Sequence, residues 1–197
     1  MLTMQKQMKP LELTDSAIII YVNENSSTPF NEAFQKPNAF DAKIQDFLFK
    51  AKVGDISDPV IGQSGYQVVK LLGEKEGEEL YANASHVLVK IESDTAAAKT
   101  KANEIYNRVK NGENIETIAF ELSDDPSAKQ NNGNLGWFAK GAMVKEFEEA
   151  AFNNPEGSVI GPVKTSFGFH IIKVMGKTKK EFQVAQITKT VTPSSRS

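Results

Sequence analysis

Cysteine is absent from the 197 residues, which excludes disulfides, thiolate metal sites and a cysteine nucleophile together. It leaves the compartment open, because cysteine-free proteins occur on both sides of a membrane. Histidine is scarce: there are two, His86 and His170, too few and too far apart in sequence for a zinc site at local ligand spacing, so no metal is expected. Positive charge is not in excess either. Lys and Arg number 23 against 25 Asp and Glu, a net charge of -2, which gives no basic field for nucleic acid or an anionic membrane and points to a protein or peptide partner. No run reaches the roughly 18 apolar residues that a membrane span requires, so the chain as given reads as soluble. There is no Gly-x-Ser-x-Gly elbow for a serine hydrolase. The Gly-rich piece Gly133-Asn-Leu-Gly136 lacks the Gly-Lys-Ser/Thr ending of a phosphate loop. Neither end shows a clear cap, and the expectation is an excised piece of a longer protein.

What is present reads as ordinary globular sequence, 40% hydrophobic and 24% charged, enough for one large domain or two small ones. Ala84-Ser-His-Val-Leu-Val-Lys90 suits a strand. Asp94 then opens a helix with Ala98, Ala102, Ile105 and Val109 on one face, stopping at Asn111-Gly112. A second helix starts from the N-cap Asn114, buries Ile115, Ile118, Ala119 and Leu122, and ends in the turn Ser123-Asp-Asp-Pro126. After the bend and apolar pair of Gly133-Asn-Leu-Gly-Trp-Phe138 comes a helix with Met143, Phe147 and Ala151 on one side. Two strands close the pattern, one around Pro162-Val163 and one from Phe169 to Met175. The order β-α-α-turn-β-α-β-β predicts an α+β fold, a sheet with helices packed against it.

Half of this pattern occurs twice. Pro59, Val60, Gly65, Lys70 and Gly73 recur without a gap as Pro162, Val163, Gly168, Lys173 and Gly176, and the match extends back through Gly54 and Phe49 to Gly157 and Phe152. The expected organisation is a partial module over 1-75, with Ala17-Ile-Ile-Ile-Tyr-Val22 supplying a strand; a hydrophilic linker over 76-83; a complete domain over 84-177; and an extension over 178-197.

Both histidines sit inside apolar strand patterns. A buried imidazole needs partners for both ring nitrogens, which neighbouring strands could supply by letting the rings bond to each other or to shared hydroxyls. The plainer alternative is two separate, satisfied core histidines.

The whole set of segments resembles the parvulin family of peptidyl-prolyl cis/trans isomerases over Ala84 to Lys177. The matching pieces are Ala84-Ser-His-Val-Leu-Val89, Ser123-Asp-Asp-Pro-Ser-Ala128, Gly133-Asn-Leu-Gly-Trp-Phe138, the helix from Lys140 to Phe152, and Gly161-Pro-Val-Lys-Thr-Ser-Phe-Gly-Phe-His-Ile-Ile172. The resemblance implies the parvulin fold, a four-stranded antiparallel sheet surrounded by helices, and isomerase activity without a cofactor. It assigns catalytic roles to His86, Asp125 and His170, and substrate contact to Leu135, Met143, Phe147, Thr165 and Phe167. As a pocket wall, Phe147 is expected to be less enclosed than a core ring. Phospho-directed members carry a basic cluster after the first strand; here Lys90-Ile-Glu-Ser-Asp-Thr95 holds two acids and no arginine, which implies unmodified substrates.

The flanks resemble the periplasmic, membrane-anchored folding factors of the PpiD type, in particular Bacteroidetes-like versions, with soluble SurA-like and lipid-anchored foldase types as near relatives. That likeness implies unfolded, exported polypeptides with X-Pro bonds as partners, a periplasmic location and an anchor outside this chain. A holdase with little isomerase activity is the competing expectation. The upstream module is expected to be silent: Gln67 and Ser64 replace His170 and Phe167, Phe40 and Ile44 replace Met143 and Phe147, and no counterpart of His86 or Asp125 is apparent before Phe40.

Overall fold

The structure, a computed structural model, describes residues 15–190; the rest of the expected first module and C-terminal extension lies outside the described residues. Its elements are α1 (Asp15–Asn25), a 3-10 turn (Pro37–Ala39), α2 (Ala42–Leu48), β1 (Val60–Gly62), β2 (Gly65–Val89), α3 (Thr95–Lys110), α4 (Ile115–Leu122), α5 (Ala128–Asn131), β3 (Asn134–Ala139), α6 (Lys145–Asn153), β4 (Val159–Thr165) and β5 (Gly168–Lys189). The strands form one sheet in the order β1-β2-β5-β4, with β3 also on β2. The chain divides into two compact units. The first comprises the described residues up to Gly77 and from Lys180 onward, the second Glu78–Lys179.

In the second unit, alternation along β2 sends successive side chains to opposite faces. Val87 and Val89 face α3 and α4, in a cluster with Ala102, Ile105, Ile118 and Ile171. Ala82 and Ala84 face α6, in a cluster with Phe138, Phe147, Ala151, Phe152 and Ile172. The helices begin where capping chemistry dictates. Asp94 accepts hydrogen bonds from the backbone of Ala96 and Ala97, and Asn114 from Glu116 and Thr117, each cap worth about 1 kcal/mol. Antiparallel β4 and β5 are joined by a tight turn with a register shift between Ile160 and Val163.

The first unit differs from expectation in three places. Ala17–Val22 is helical, not a strand: Ile18 and Val22, four apart, are buried while Ile20 is 58% exposed, the period of a helix face. Residues 76–83, expected as a hydrophilic linker, are strand within β2, and the division between the two units falls among them, after Gly77. Their exposed charges reflect solvated strand faces, and the pairs Lys180–Glu74 at 3.0 Å and Lys75–Glu181 at 3.4 Å lie just before this stretch on β2. The C-terminal stretch is not an appendage: residues 180–189 are strand, and Phe182, fully buried, packs with Phe40, Ile44, Leu48, Val69 and Leu71. The duplicated helix and hairpin expected from the repeat are present as α2 with β1-β2 and α6 with β4-β5.

Candidate active site

Three elements of the second unit converge on a cleft of about 560 Å³. β2 carries His86 on the face shared with Ala82 and Ala84, β5 carries His170, and the turn after α4 carries Asp125. The walls are Leu135 from β3, Met143 and Phe147 at and on α6, and Phe167 from the β4–β5 turn, so every expected substrate-contact residue except Thr165 lines the cleft. Thr165 is buried behind His170. Leu88, Lys90, Pro126, Ala142 and Val144 also line it; the four uncharged residues lie beside motif residues and carry no chemical signature of their own, and Lys90 reads in the sequence only as the end of a strand and the start of the loop that follows.

The polar floor is a single chain of hydrogen bonds. His86 Nε2 lies 2.9 Å from Asp125 Oδ2, His86 Nδ1 lies 3.1 Å from His170 Nδ1, and His170 Nε2 lies 2.8 Å from Thr165 Oγ1. The ring planes are only 15° apart, their Nδ1 edges facing. The protons follow from the ends inward. A carboxylate only accepts, so His86 Nε2–H donates to Asp125 and the neutral ring's Nδ1 must accept. His170 Nδ1–H supplies that bond, leaving its Nε2 to accept from the Thr165 hydroxyl. Thr165 Oγ1 in turn accepts the Phe167 backbone N–H at 3.1 Å, which fixes the turn that presents Phe167. All ring nitrogens are thereby satisfied with both imidazoles neutral.

Electrostatics agree with this order. Burial pushes His86 below its ordinary value, against the opposing hydrogen bond and charge of Asp125. Burial, reinforced by the neighbouring His86, lowers His170 to about 4. For Asp125 burial pushes upward, but hydrogen bonds from the Ser127 backbone and side chain and from His86 together hold the carboxyl below its usual range. The Ser127 N–H and hydroxyl reach Asp125 Oδ1 at 2.9 and 2.8 Å, an Asx-type turn that aims Oδ2 at His86. Phe147 stands edge-on to both imidazoles, at 5.7 Å and 84° to His86 and 5.5 Å and 81° to His170. Contrary to the expected open pocket wall, it is only 3% exposed, because its other face belongs to the α6 cluster. Phe167, at 60% exposed, is the rim.

Among the described residues no group of three His, Asp or Glu side chains could hold a metal ion, and no helix is long and apolar enough to cross a membrane.

The PPIC-type PPIASE domain family matches residues 66–178. Foldase protein PrsA of Geobacillus kaustophilus is 48% identical over 114 residues, 55% of this chain and 38% of that protein. Chaperone SurA of Pseudomonas syringae pv. tomato is 32% identical over 163 residues, 78% of this chain and 37% of that protein. The solution structure of NmPin, the parvuline of Nitrosopumilus maritimus, shares 42% identity, covering 51% of this chain and all of that one, with a TM-score of 0.43. The chain thus spans little more than a third of the curated relatives it matches. With more than half of its residues inside the matched domain, it belongs to the PPIC-type, or parvulin, family of peptidyl-prolyl cis-trans isomerases.

Proposed function

We propose that the cleft of the second unit isomerises unmodified X-Pro bonds in unfolded, exported polypeptides. The observation that carries this is the joining of an apolar cradle to a neutral imidazole floor with one carboxylate at its edge. Rotation about the imide bond faces about 20 kcal/mol because planarity is held by resonance. No bond is broken and no nucleophile is needed. Leu135, Met143, Phe147 and Phe167 hold the proline ring and exclude water. The Asp125 carboxylate opposes build-up of negative charge on the imide carbonyl oxygen, and that charge is greatest in the planar, resonance-stabilised form. The twisted form is therefore favoured over either planar isomer. Uncharged histidines add no counter-charge that would restore planarity. Thr165 acts from behind by holding His170.

Among the described residues Lys90 is the single cation lining the cleft, and the following loop carries Glu92 and Asp94, so a phosphate before the proline gains little. The likeness of the flanks to PpiD-type, Bacteroidetes-like folding factors supports a periplasmic setting and an inner-membrane anchor outside residues 1–197. Exchange spectroscopy of an unphosphorylated Ala-Pro peptide with the 197-residue chain tests the activity. Exchange well above the uncatalysed rate is expected; an uncatalysed rate with a folded chain would contradict it.

A further inference from the structure

The first unit repeats the isomerase unit more completely than the sequence repeat suggests. In the second unit, the Asp124 N–H bonds Leu88 O at 2.8 Å, the Leu88 N–H bonds Ser123 Oγ at 3.0 Å and the Lys90 N–H bonds Asp124 Oδ2 at 2.9 Å. In the first, the Ser27 N–H bonds Thr188 O at 2.8 Å, the Thr188 N–H bonds Ser26 Oγ at 3.0 Å and the Thr190 N–H bonds Ser27 Oγ at 3.3 Å. Gln35 bridges Phe182 as Phe138 pairs with Ala82. Gly168, at φ 138°, leaves no room for a Cβ against the Val89 carbonyl, and its counterpart Gly65, at φ 114°, leaves none against the Lys189 carbonyl. These independent matches set residues 180–190 where 80–90 stand in the isomerase unit. The first unit is therefore a second copy of the fold whose first strand comes from the chain's far end.

In that copy Gln186 stands for His86, Gln67 for His170, and Thr28-Pro29 for Asp125-Pro126. The catalytic geometry has been rebuilt. Gln67 Nε2 donates to Asp41 Oδ2 at 2.8 Å, and Gly62 replaces Thr165 at a point where any Cβ would collide with the Asp41 carboxylate. Phe182 fills the volume left open by Ala82. A cavity of about 240 Å³ nevertheless persists beside the Thr28-Pro29 turn, lined by Thr28, Pro29, Asn31, Gln35, Val184 and Gln186 among others. It has no charged lining residue.

Among the described residues, the strand edge there is unpaired between two anchors. Phe182 and Thr188 are anchored by Gln35 and Ser27, and alternation directs the backbone of Val184 and Gln186 to the same side. Between those anchors, among the described residues, the segment 28–34 makes no backbone hydrogen bond to β5. Unpaired N–H and C=O groups of a strand, flanked by neutral amides, a hydroxyl and the Phe30 ring, match the repeating donors and acceptors of an extended peptide, not an ion. We propose that this edge is a non-catalytic binding site for an extended segment of unfolded polypeptide, with no requirement for proline.

The test is titration of the isotope-labelled 197-residue chain with a proline-free ten-residue peptide of mixed Thr, Val, Ser and Lys, followed by amide chemical shifts. Saturable shifts at Val184, Gln186 and Thr28 are expected. Gln186→Pro, which deletes one outward N–H, should weaken binding by about tenfold, the worth of a good hydrogen bond, without slowing Ala-Pro exchange. If that variant does not fold, Asn31→Leu, which removes an exposed amide, should weaken the same shifts. Shifts confined to the isomerase cleft would overturn the proposal. So would the same residues shifting with protein concentration alone, which would assign the edge to a second copy of the chain. Loss of Ala-Pro exchange with these shifts intact would leave the proposal standing and count only against the isomerase reading.

Discussion

The two units differ in what lines the space beside the helix and in what lies beneath it. Both keep a helix packed on the hairpin, a glycine at the hairpin turn and a buried apolar cluster. Only the second keeps small residues, Ala82 and Ala84, opposite the helix, so that Phe147 and Met143 border a cleft. In the first, Phe182 closes that space, its ring edge-on to Phe49 at 5.1 Å and to Phe40 at 6.5 Å. Only the second carries the chain Asp125–His86–His170–Thr165; in the other an amide and a carboxylate bond to each other. The helix and hairpin survive the loss of both the cleft and its polar floor.

The largest effects expected are on stability, and they separate by unit. Phe182→Ala and Phe147→Ala each remove a nearly or fully buried ring and should cost about 3–5 kcal/mol. Denaturant melts followed by probes in each unit should show Phe182→Ala lowering the first unit's transition and Phe147→Ala the second's. A cost below about 1 kcal/mol for Phe147→Ala would return that ring to the status of a simple pocket wall.

Next in size is the response to acid. The folded isomerase unit holds His170 at about 4, below its ordinary 6.5. The unfolded chain therefore binds the extra proton first as pH falls, and stability is lost from about 6.5 down to about 4 and not regained below. Depression of His86 and Asp125 acts in the same direction. The loss is on the order of 3 kcal/mol. The first unit, with Gln67 and Gln186 in the two positions, should not share it; melts at pH 7 and pH 4.5 that move both units equally would contradict the proton order derived above.

Thr165→Val is a smaller step. It leaves the His170 Nε2 acceptor and the Phe167 N–H without their partner, at about 1–3 kcal/mol, and frees the turn bearing Phe167. Thr165→Ser should restore both stability and exchange rate, which a purely steric role would not require. Smallest is Phe167→Ala, where an exposed rim ring should change stability by no more than about 0.5 kcal/mol while reducing isomerase turnover; unchanged exchange catalysis would remove Phe167 from the substrate site.

The isomerase unit was legible in the sequence because its signals are local. Asp94 and Asn114 announce their helices, Ala98 to Val109 follow a helical period, and the two histidines interrupt apolar strands, where each needs partners for both ring nitrogens. The second copy was legible in part. Its helix and hairpin recur without a gap, but residues 180–190 share no identical position with 80–90. A strand supplied from the far end of the chain leaves no local mark. The misreading of Ala17–Val22 has the same origin. Three consecutive isoleucines favour a strand by propensity, and burial of Ile18 and Val22 against β5 and β2 residues such as Ile187 and Val68 decides for a helix. Thr165, expected as a substrate contact, lies instead behind His170, since sequence does not say whether a hydroxyl faces substrate or the back of a histidine.

The most direct test writes the first unit's residues into the second. In the 197-residue chain, His86→Gln, Asp125→Thr and His170→Gln together leave the apolar cradle in place while removing the imidazole floor and the carboxylate. Exchange spectroscopy with an unphosphorylated Ala-Pro peptide should then fall to the uncatalysed rate, with both unfolding transitions still present. Exchange persisting near the parent rate in that folded variant would show that the cradle alone, or the other unit, does the catalysis.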